Sequence, residues 1–201
     1  MRLPDVCSIY TGFTARGRLE PAATGGVLAI QLRDISPDGL IDPERLTRVQ
    51  LNGLPERYFV QAGDVVFRSR GERNTASALD ERLPEPALAV LPLMVLRPKL
   101  GVVTSEYLAW AVNQPPAQRH FDSAARGTNI RMIPRPSLND LDIDVPDLLT
   151  QKRIVEVDAL AERERGLSLS AAELRRKLMS LMLVERASST PRNAGTKGKR
   201  K

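Results

Sequence analysis

LDIDVPDLLTQKRIVEVDAL, residues 141–160, is where the chain changes character. Leu141, Ile143 and Val145 alternate with Asp142 and Asp144, the period-two pattern of a half-buried strand. Pro146 breaks the pattern. Beyond it apolar residues recur at helical spacing, and no proline intervenes before about Arg186. The junction predicts a strand-rich domain over residues 1–146, a long helix over 147–186 and a polar tail over 187–201. Thr150 is the expected N-cap, with Asp147 the alternative, and Leu149 and Ile154 fall at the two positions of a hydrophobic staple. One oddity stands out: Lys152 and Arg153 lie at the start of the helix, where its dipole disfavours cations.

Within the helix, Leu160, Leu167, Leu174 and Leu181 recur every seven residues, each preceded by three positions by Val157, Glu164, Ala171 or Leu178. This is a heptad seam with one polar member, Glu164, next to a helix-weakening Gly166. Such a seam is buried either on the helix's own domain or against a helical partner. The length and the charged flanks ERER and RRK favour the partner. Val157, Leu160, Leu167, Ala171, Leu174, Leu178 and Leu181 are therefore the expected partner contacts.

Upstream, the chain reads as α+β. VLAIQL (27–32) and Val65-Val66-Phe67, opened by Gly63-Asp64, are short strands, and ALAVLPLMVLRP (87–98) reads as one strand interrupted at Pro92. Thr104 or Ser105 caps a helix over EYLAWAVNQ; Pro115-Pro116 ends it and opens a second over AQRHFDSAA, closed by Gly127. Fifteen prolines and thirteen glycines fit many short elements joined by turns.

The net charge of +6 and pI near 9.9 point toward nucleic acid, but the excess is local. Residues 185–201 hold six of the 30 Lys/Arg and one of the 24 acids, a net +5, which leaves +1 for residues 1–184. The tail is expected to be disordered; non-specific attraction to phosphate and simple solubilisation both remain open for it. In the body, Arg57, Arg68, Arg70 and Arg73 crowd one region and Arg119, Arg126, Arg131 and Arg135 another. No apolar run approaches the ~20 residues of a membrane span, no signal-peptide core opens the chain, and Cys7 is the sole cysteine. A cytoplasmic protein is the expectation.

Enzymatic chemistry is poorly supplied. The chain has one histidine, His120, no zinc-spaced cluster, no GxxxxGK[ST] loop and no GxSxG elbow. Asn113-Gln114-Pro115-Pro116 approaches the Asn-Pro-Pro-aromatic loop of adenine methyltransferases, but Gln114 intrudes and no aromatic follows, so it reads as a helix stop. Pro146-Asp147 lacks the second acid and the lysine that a metal-dependent nuclease needs. Contact residues are better candidates. Arg68, Arg70, Arg73, Asn74 and Thr75 follow a strand, and Arg126, Thr128, Asn129 and Arg131 follow a helix. Arginine reads guanine and asparagine adenine, while threonine suits phosphate. The competing reading is of ordinary solvated loops.

The order of segments resembles the specificity subunit of type I restriction-modification systems, or more closely one half of it. LPDVCSIYTGFTARG resembles the family's opening, VLAIQLRDISPDGLID its next strand and turn, VQAGDVVFRSRG its Gly-Asp strand, and the stretch from EYLAWAVNQPP through VPDLLTQKRIVEVDAL its most recognisable block. The similarity covers roughly residues 3–184. It implies a non-catalytic, DNA-reading target-recognition domain followed by a spacer helix. It also implies double-stranded DNA, a DNA adenine methyltransferase subunit and a restriction translocase as partners. No cofactor is expected on this chain, S-adenosylmethionine belonging to the methyltransferase. The usual subunit has two domains and two helices, whereas this chain has one of each, so a homodimer through the helix, reading inverted half-sites, is the expectation. The alternative is a free-standing DNA-binding regulator or nucleoid-type protein that uses the basic tail; a nuclease or hydrolase is a third, disfavoured reading.

Overall fold

A computed structural model of the chain describes residues 1–189, apart from Arg16, Pro37, Asp38, Asn52, Glu72 and residues 125–131. The strands are β1 (Cys7–Thr11), β2 (Val27–Ile30), β3 (Thr47–Val49), β4 (Phe59–Val60), β5 (Val65–Arg68), β6 (Ala76–Ala78), β7 (Ala87–Ala89) and β8 (Leu93–Pro98). The helices are α1 (Leu3–Val6), α2 (Ser105–Asn113), α3 (Pro115–Ala124), α4 (Arg135–Asn139) and α5 (Leu148–Ser189). The class is α+β.

The strands form two four-stranded sheets. The first, ordered β1-β8-β5-β6, is antiparallel throughout; the second, ordered β3-β2-β7-β4, contains one parallel pair, β2 with β7. Period-two alternation explains the layering. Val65 and Phe67 of β5 and Met94 and Leu96 of β8 face the helices, in a core with Leu108, Val112 and Phe121. Val66, Leu93 and Val95 face the other way, onto Leu28, Ile30, Val60, Ala87 and Ala89 of the second sheet. A central sheet buried on both faces thus separates the helices from the second sheet.

The expected single strand over residues 87–98 is two strands in different sheets, β7 and β8. The chain crosses between the sheets at Val90–Pro92, since proline has no N–H to continue a ladder. Gly12 sits against this crossing. A Cβ there would lie 2.7–3.0 Å from the backbone of Leu93, Ala89 and Leu91, so only glycine fits.

Residues 141–145 are extended and bury Leu141 and Ile143, as their alternation requires, but they form no ladder. They pair with the chain's first residues instead: Leu3 N–H donates to the Leu141 carbonyl (2.8 Å) and Ile143 N–H to the Met1 carbonyl (2.9 Å). The first compact unit, Met1–Val155, includes the opening of α5, where Ile154 and Val155 pack on the helical core; the rest of α5, from Glu156, is a second unit. Among the described residues no helix is long and apolar enough to cross a membrane.

Candidate nucleic-acid interface and the base of the long helix

Arg68 ends β5, and the chain then turns through Gly71, whose φ of +128° is a backbone that side chains disfavour. This loop is tied down from below. Buried Ser69 accepts from Ile133 N–H at its carbonyl (2.7 Å), and Arg70 bridges Met132 in antiparallel fashion. Asn74 is 2% exposed; its amide nitrogen donates to the Arg68 carbonyl (2.9 Å) and its own carbonyl accepts from Gln118 (3.0 Å). Helix α3 and the segment around residue 132 therefore both converge on the loop after β5.

That geometry sorts the residues singled out from the sequence. Arg70 and Arg73 are exposed. Arg68 is only part-exposed, and one guanidinium nitrogen donates to the carbonyls of Ile35 and Ser36 (3.2 and 3.3 Å), so it anchors a neighbouring loop. Asn74 is packed inside with its amide nitrogen engaged, and it shapes the loop. Thr75 is half-buried and its carbonyl accepts from Arg68 N–H (2.8 Å). Arg126, Thr128, Asn129 and Arg131, like the Gly127 helix stop and residues 190–201 of the tail, lie outside the described residues. Met132 and Ile133, directly after that stretch, are nevertheless held beside Ser69 and Arg70.

The Gly-Asp turn before β5 serves the core. Asp64, 2% exposed, takes two bonds from the Arg97 guanidinium (2.7 and 2.8 Å) and one from Gln61 N–H (3.0 Å). The carboxylate raises the Arg97 pKa above its ordinary value. Asn113, which ends α2, caps the free edge of β6: its amide oxygen accepts from Ala76 N–H and its nitrogen donates to the Ala76 carbonyl, both at 2.8 Å. Asn113-Gln114-Pro115-Pro116 is thus a helix stop with an edge clamp.

At the base of α5 the cap is Asp147, the alternative to Thr150. One carboxylate oxygen accepts from the N–H groups of Leu149 and Thr150, both at 3.1 Å, and the other from the Thr150 hydroxyl at 2.7 Å. These bonds, the hydroxyl's first, hold the carboxyl below the usual carboxylate range. With the cap three residues earlier, Leu149 no longer precedes it; it is 57% exposed and the expected staple with Ile154 does not form. Gln151 fixes the helix instead. Fully buried, it donates to the carbonyls of Val102 (2.9 Å) and Pro146 (2.7 Å) and accepts from Thr104 N–H (2.9 Å). Its TQ position after the proline carries no periodic signal, which is why it escapes sequence reasoning.

Beside Gln151 lies a cleft of about 610 Å³, lined by Tyr107, Trp110, Val145, Pro146 and Ile154 among others. Tyr107 and Trp110 stack at 5.2 Å, and the Tyr107 hydroxyl donates to the Asp144 carbonyl at 2.7 Å. Asp142, Asp144 and Thr150 are the acidic and aliphatic hydroxyl residues of its lining, which among the described residues holds no histidine, cysteine or lysine. Burial pushes the Cys7 thiol up to about 12, so it stays protonated at neutral pH. The His120 Nε2, 2.8 Å from the Ser137 carbonyl, carries its proton there and ties α3 to α4. Among the described residues no group of three or more His, Cys, Asp or Glu is placed to hold a metal ion.

No family model matches the chain, and no curated protein matches it in sequence. Solved structures match it in fold. The HsdS subunit from Thermoanaerobacter tengcongensis aligns with a TM-score of 0.63 at 20% identity, over 97% of this chain and 50% of that one. A chain from a structural study of complex assembly and conformational transition in the type I R-M system aligns at 0.61 and 19% identity, over 90% of this chain and 42% of that one. The chain spans about half the length of the solved chains it matches. Two sheets followed by one long helix are the fold of one half of an HsdS subunit.

Proposed function

We propose that the chain is the DNA sequence-recognition subunit of a type I restriction-modification system, present as a half that works in pairs. The observation that carries this reading is the match of 97% of the chain to 50% of an HsdS subunit, one domain and one helix where the longer protein has room for two. The loop after β5 supports it. Exposed Arg70 and Arg73 offer guanidinium groups for guanine edges or phosphates, on a rigid base held by Ser69 and Asn74, with Arg126, Thr128, Asn129 and Arg131 as further contacts by position. The seam of α5 supports pairing. Val157, Leu160, Leu167, Leu174, Leu178 and Leu181 are all exposed in the single chain, and water is a poor neighbour for so long an apolar stripe.

In this reading the chain catalyses nothing. It binds double-stranded DNA and positions a DNA adenine methyltransferase, which carries S-adenosylmethionine, and with it a restriction translocase. Two copies related by a two-fold axis read inverted half-sites separated by a gap that the helices set. The test is co-expression with an adenine methyltransferase subunit of such a system, followed by mapping of methylated adenines. One gapped palindromic motif is the expected result; absence of methylation, or a motif without inverted symmetry, overturns the reading. Arg70→Ala and Arg73→Ala should alter or abolish the motif. A lost phosphate contact lowers the slope of log affinity against log salt by about 1, whereas a lost guanine contact costs about 1–3 kcal/mol at one base pair.

A further inference from the structure

The apolar character of α5 does not end at its seam. LMSLMLV, residues 178–184, holds six large apolar residues in seven, enough to wrap most of the helix circumference. Leu178 and Leu181 belong to the seam. Met179, Met182 and Leu183 form a second stripe at i, i+3, i+4 spacing and are 55–63% exposed. One partner helix covers one stripe, so the second requires something else.

The seam itself tells where that stripe goes. In an antiparallel pair related by a two-fold axis, if residue i meets j then j meets i. Centred at Leu169, the seam is self-complementary: Val157 meets Leu181, Leu160 meets Leu178, Glu164 meets Leu174, and Leu167 meets Ala171. The next layer outward sets Arg153 against Glu185, opposite charges that give the cation in the first turns a partner. Sliding by one heptad leaves Val157 or Leu181 without a seam residue. A parallel pair would set Glu164 on Glu164 within the seam and Arg153 on Arg153 beside it, like charges in two layers. In the antiparallel register Ile154, which flanks the seam and lines the cleft beside Trp110, faces Met182 of the other copy.

Resting on the paired reading above, we propose that the Met179–Met182–Leu183 stripe of a second copy docks in the cleft lined by Trp110, Val145, Pro146 and Ile154, twice in each dimer. The chemistry matches on both sides. The cleft walls are mainly apolar and aromatic, and methionine is the side chain that best adapts to irregular apolar gaps and favours aromatic edges. Each copy's helix end is thereby seated on the other copy's recognition domain, so that the pairing seam and the docking contact together fix the separation of the two domains.

Trp110 is the only tryptophan, so its emission reports on the cleft directly. The test measures sedimentation and Trp110 emission of the full chain across a dilution series, for the native protein and for Met182→Asp/Leu183→Asp. These substitutions lie outside the seam on an exposed surface, so both proteins fold. The native dimer should show Trp110 emission that moves to longer wavelength as it dissociates. The double variant should still dimerise, roughly tenfold or more weakly, with Trp110 emission already at the longer wavelength. Cys7 is buried, so mixed chains bearing Ile154→Cys and Met182→Cys should crosslink through the new thiols alone. Dimers with the same Trp110 emission in native and variant protein overturn the docking but leave the pairing intact. Crosslinking of Leu160→Cys to itself shows a parallel pair and overturns the register. A native chain that is monomeric at micromolar concentration overturns the pairing and the docking together.

Discussion

Gln151 uses all of its side-chain amide. Two hydrogens go to the carbonyls of Val102 and Pro146 and its oxygen takes Thr104 N–H, joining the loop before α2, the exit of the domain and the first turn of α5. Because the site is fully buried, removing the amide strands backbone groups that water cannot reach. Gln151→Leu should lower unfolding free energy by about 3 kcal/mol or more, since each stranded group costs roughly 1–3 kcal/mol; urea denaturation measures it, and an unchanged midpoint would show that the bonds are dispensable. Gln151→Glu should be as damaging, because a carboxylate cannot donate to two carbonyls. Asn74 and Asn113 repeat the lesson: each presents a polar side chain that suits DNA or cofactor recognition by type, and each is engaged with the protein's own backbone.

At the scale of elements, the start of α5 is electrostatic and pH-sensitive. The Asp147 carboxyl titrates below its usual range in the folded chain because it accepts from Thr150 and Leu149. Its contribution is therefore complete above the unfolded value of about 3.9 and is lost as pH falls through the lower, folded value. Asp147→Asn should flatten the acid limb of the stability curve below about pH 4, as measured by thermal melts at a series of pH values. Farther along, Gly166 weakens the helix with nothing within 4 Å of where a Cβ would be. Gly166→Ala should raise helix stability by about 1 kcal/mol, seen as a higher melting midpoint by circular dichroism; a lower midpoint would reveal an unseen neighbour at that position.

For the whole molecule, charge is segregated by role. Most of the net positive charge lies in residues 185–201, while the exposed Arg70 and Arg73 of the loop after β5 sit on a body near neutrality. If sequence recognition belongs to the folded domain, deleting residues 187–201 should leave the methylated motif unchanged and reduce only salt-sensitive, non-specific binding. Disappearance of all DNA binding on that deletion would favour the free-standing regulator. A symmetric motif with an invariant gap is the signature expected of two identical readers on helices of fixed length.

The sequence by itself determined the α+β class, the short strands within 27–32 and 65–67, the helices over EYLAWAVNQ and AQRHFDSAA, and the long helix with its heptad pattern. These follow from local periodicity, proline and capping chemistry, which act between residues near in the chain. It also marked the arginine-rich stretches as contact candidates. Only the tertiary structure split residues 87–98 between two sheets, moved the cap from Thr150 to Asp147, and brought Met132 and Ile133 to the loop after β5. It alone decided that Asn74 turns inward while Arg70 and Arg73 stay exposed. Those outcomes depend on pairings such as Ile133 with Ser69 or Gln151 with Thr104, whose partners lie dozens of residues apart. The residue type at such a position states what a side chain can bond to, but the fold alone decides whether its partner is the protein's own backbone or another molecule.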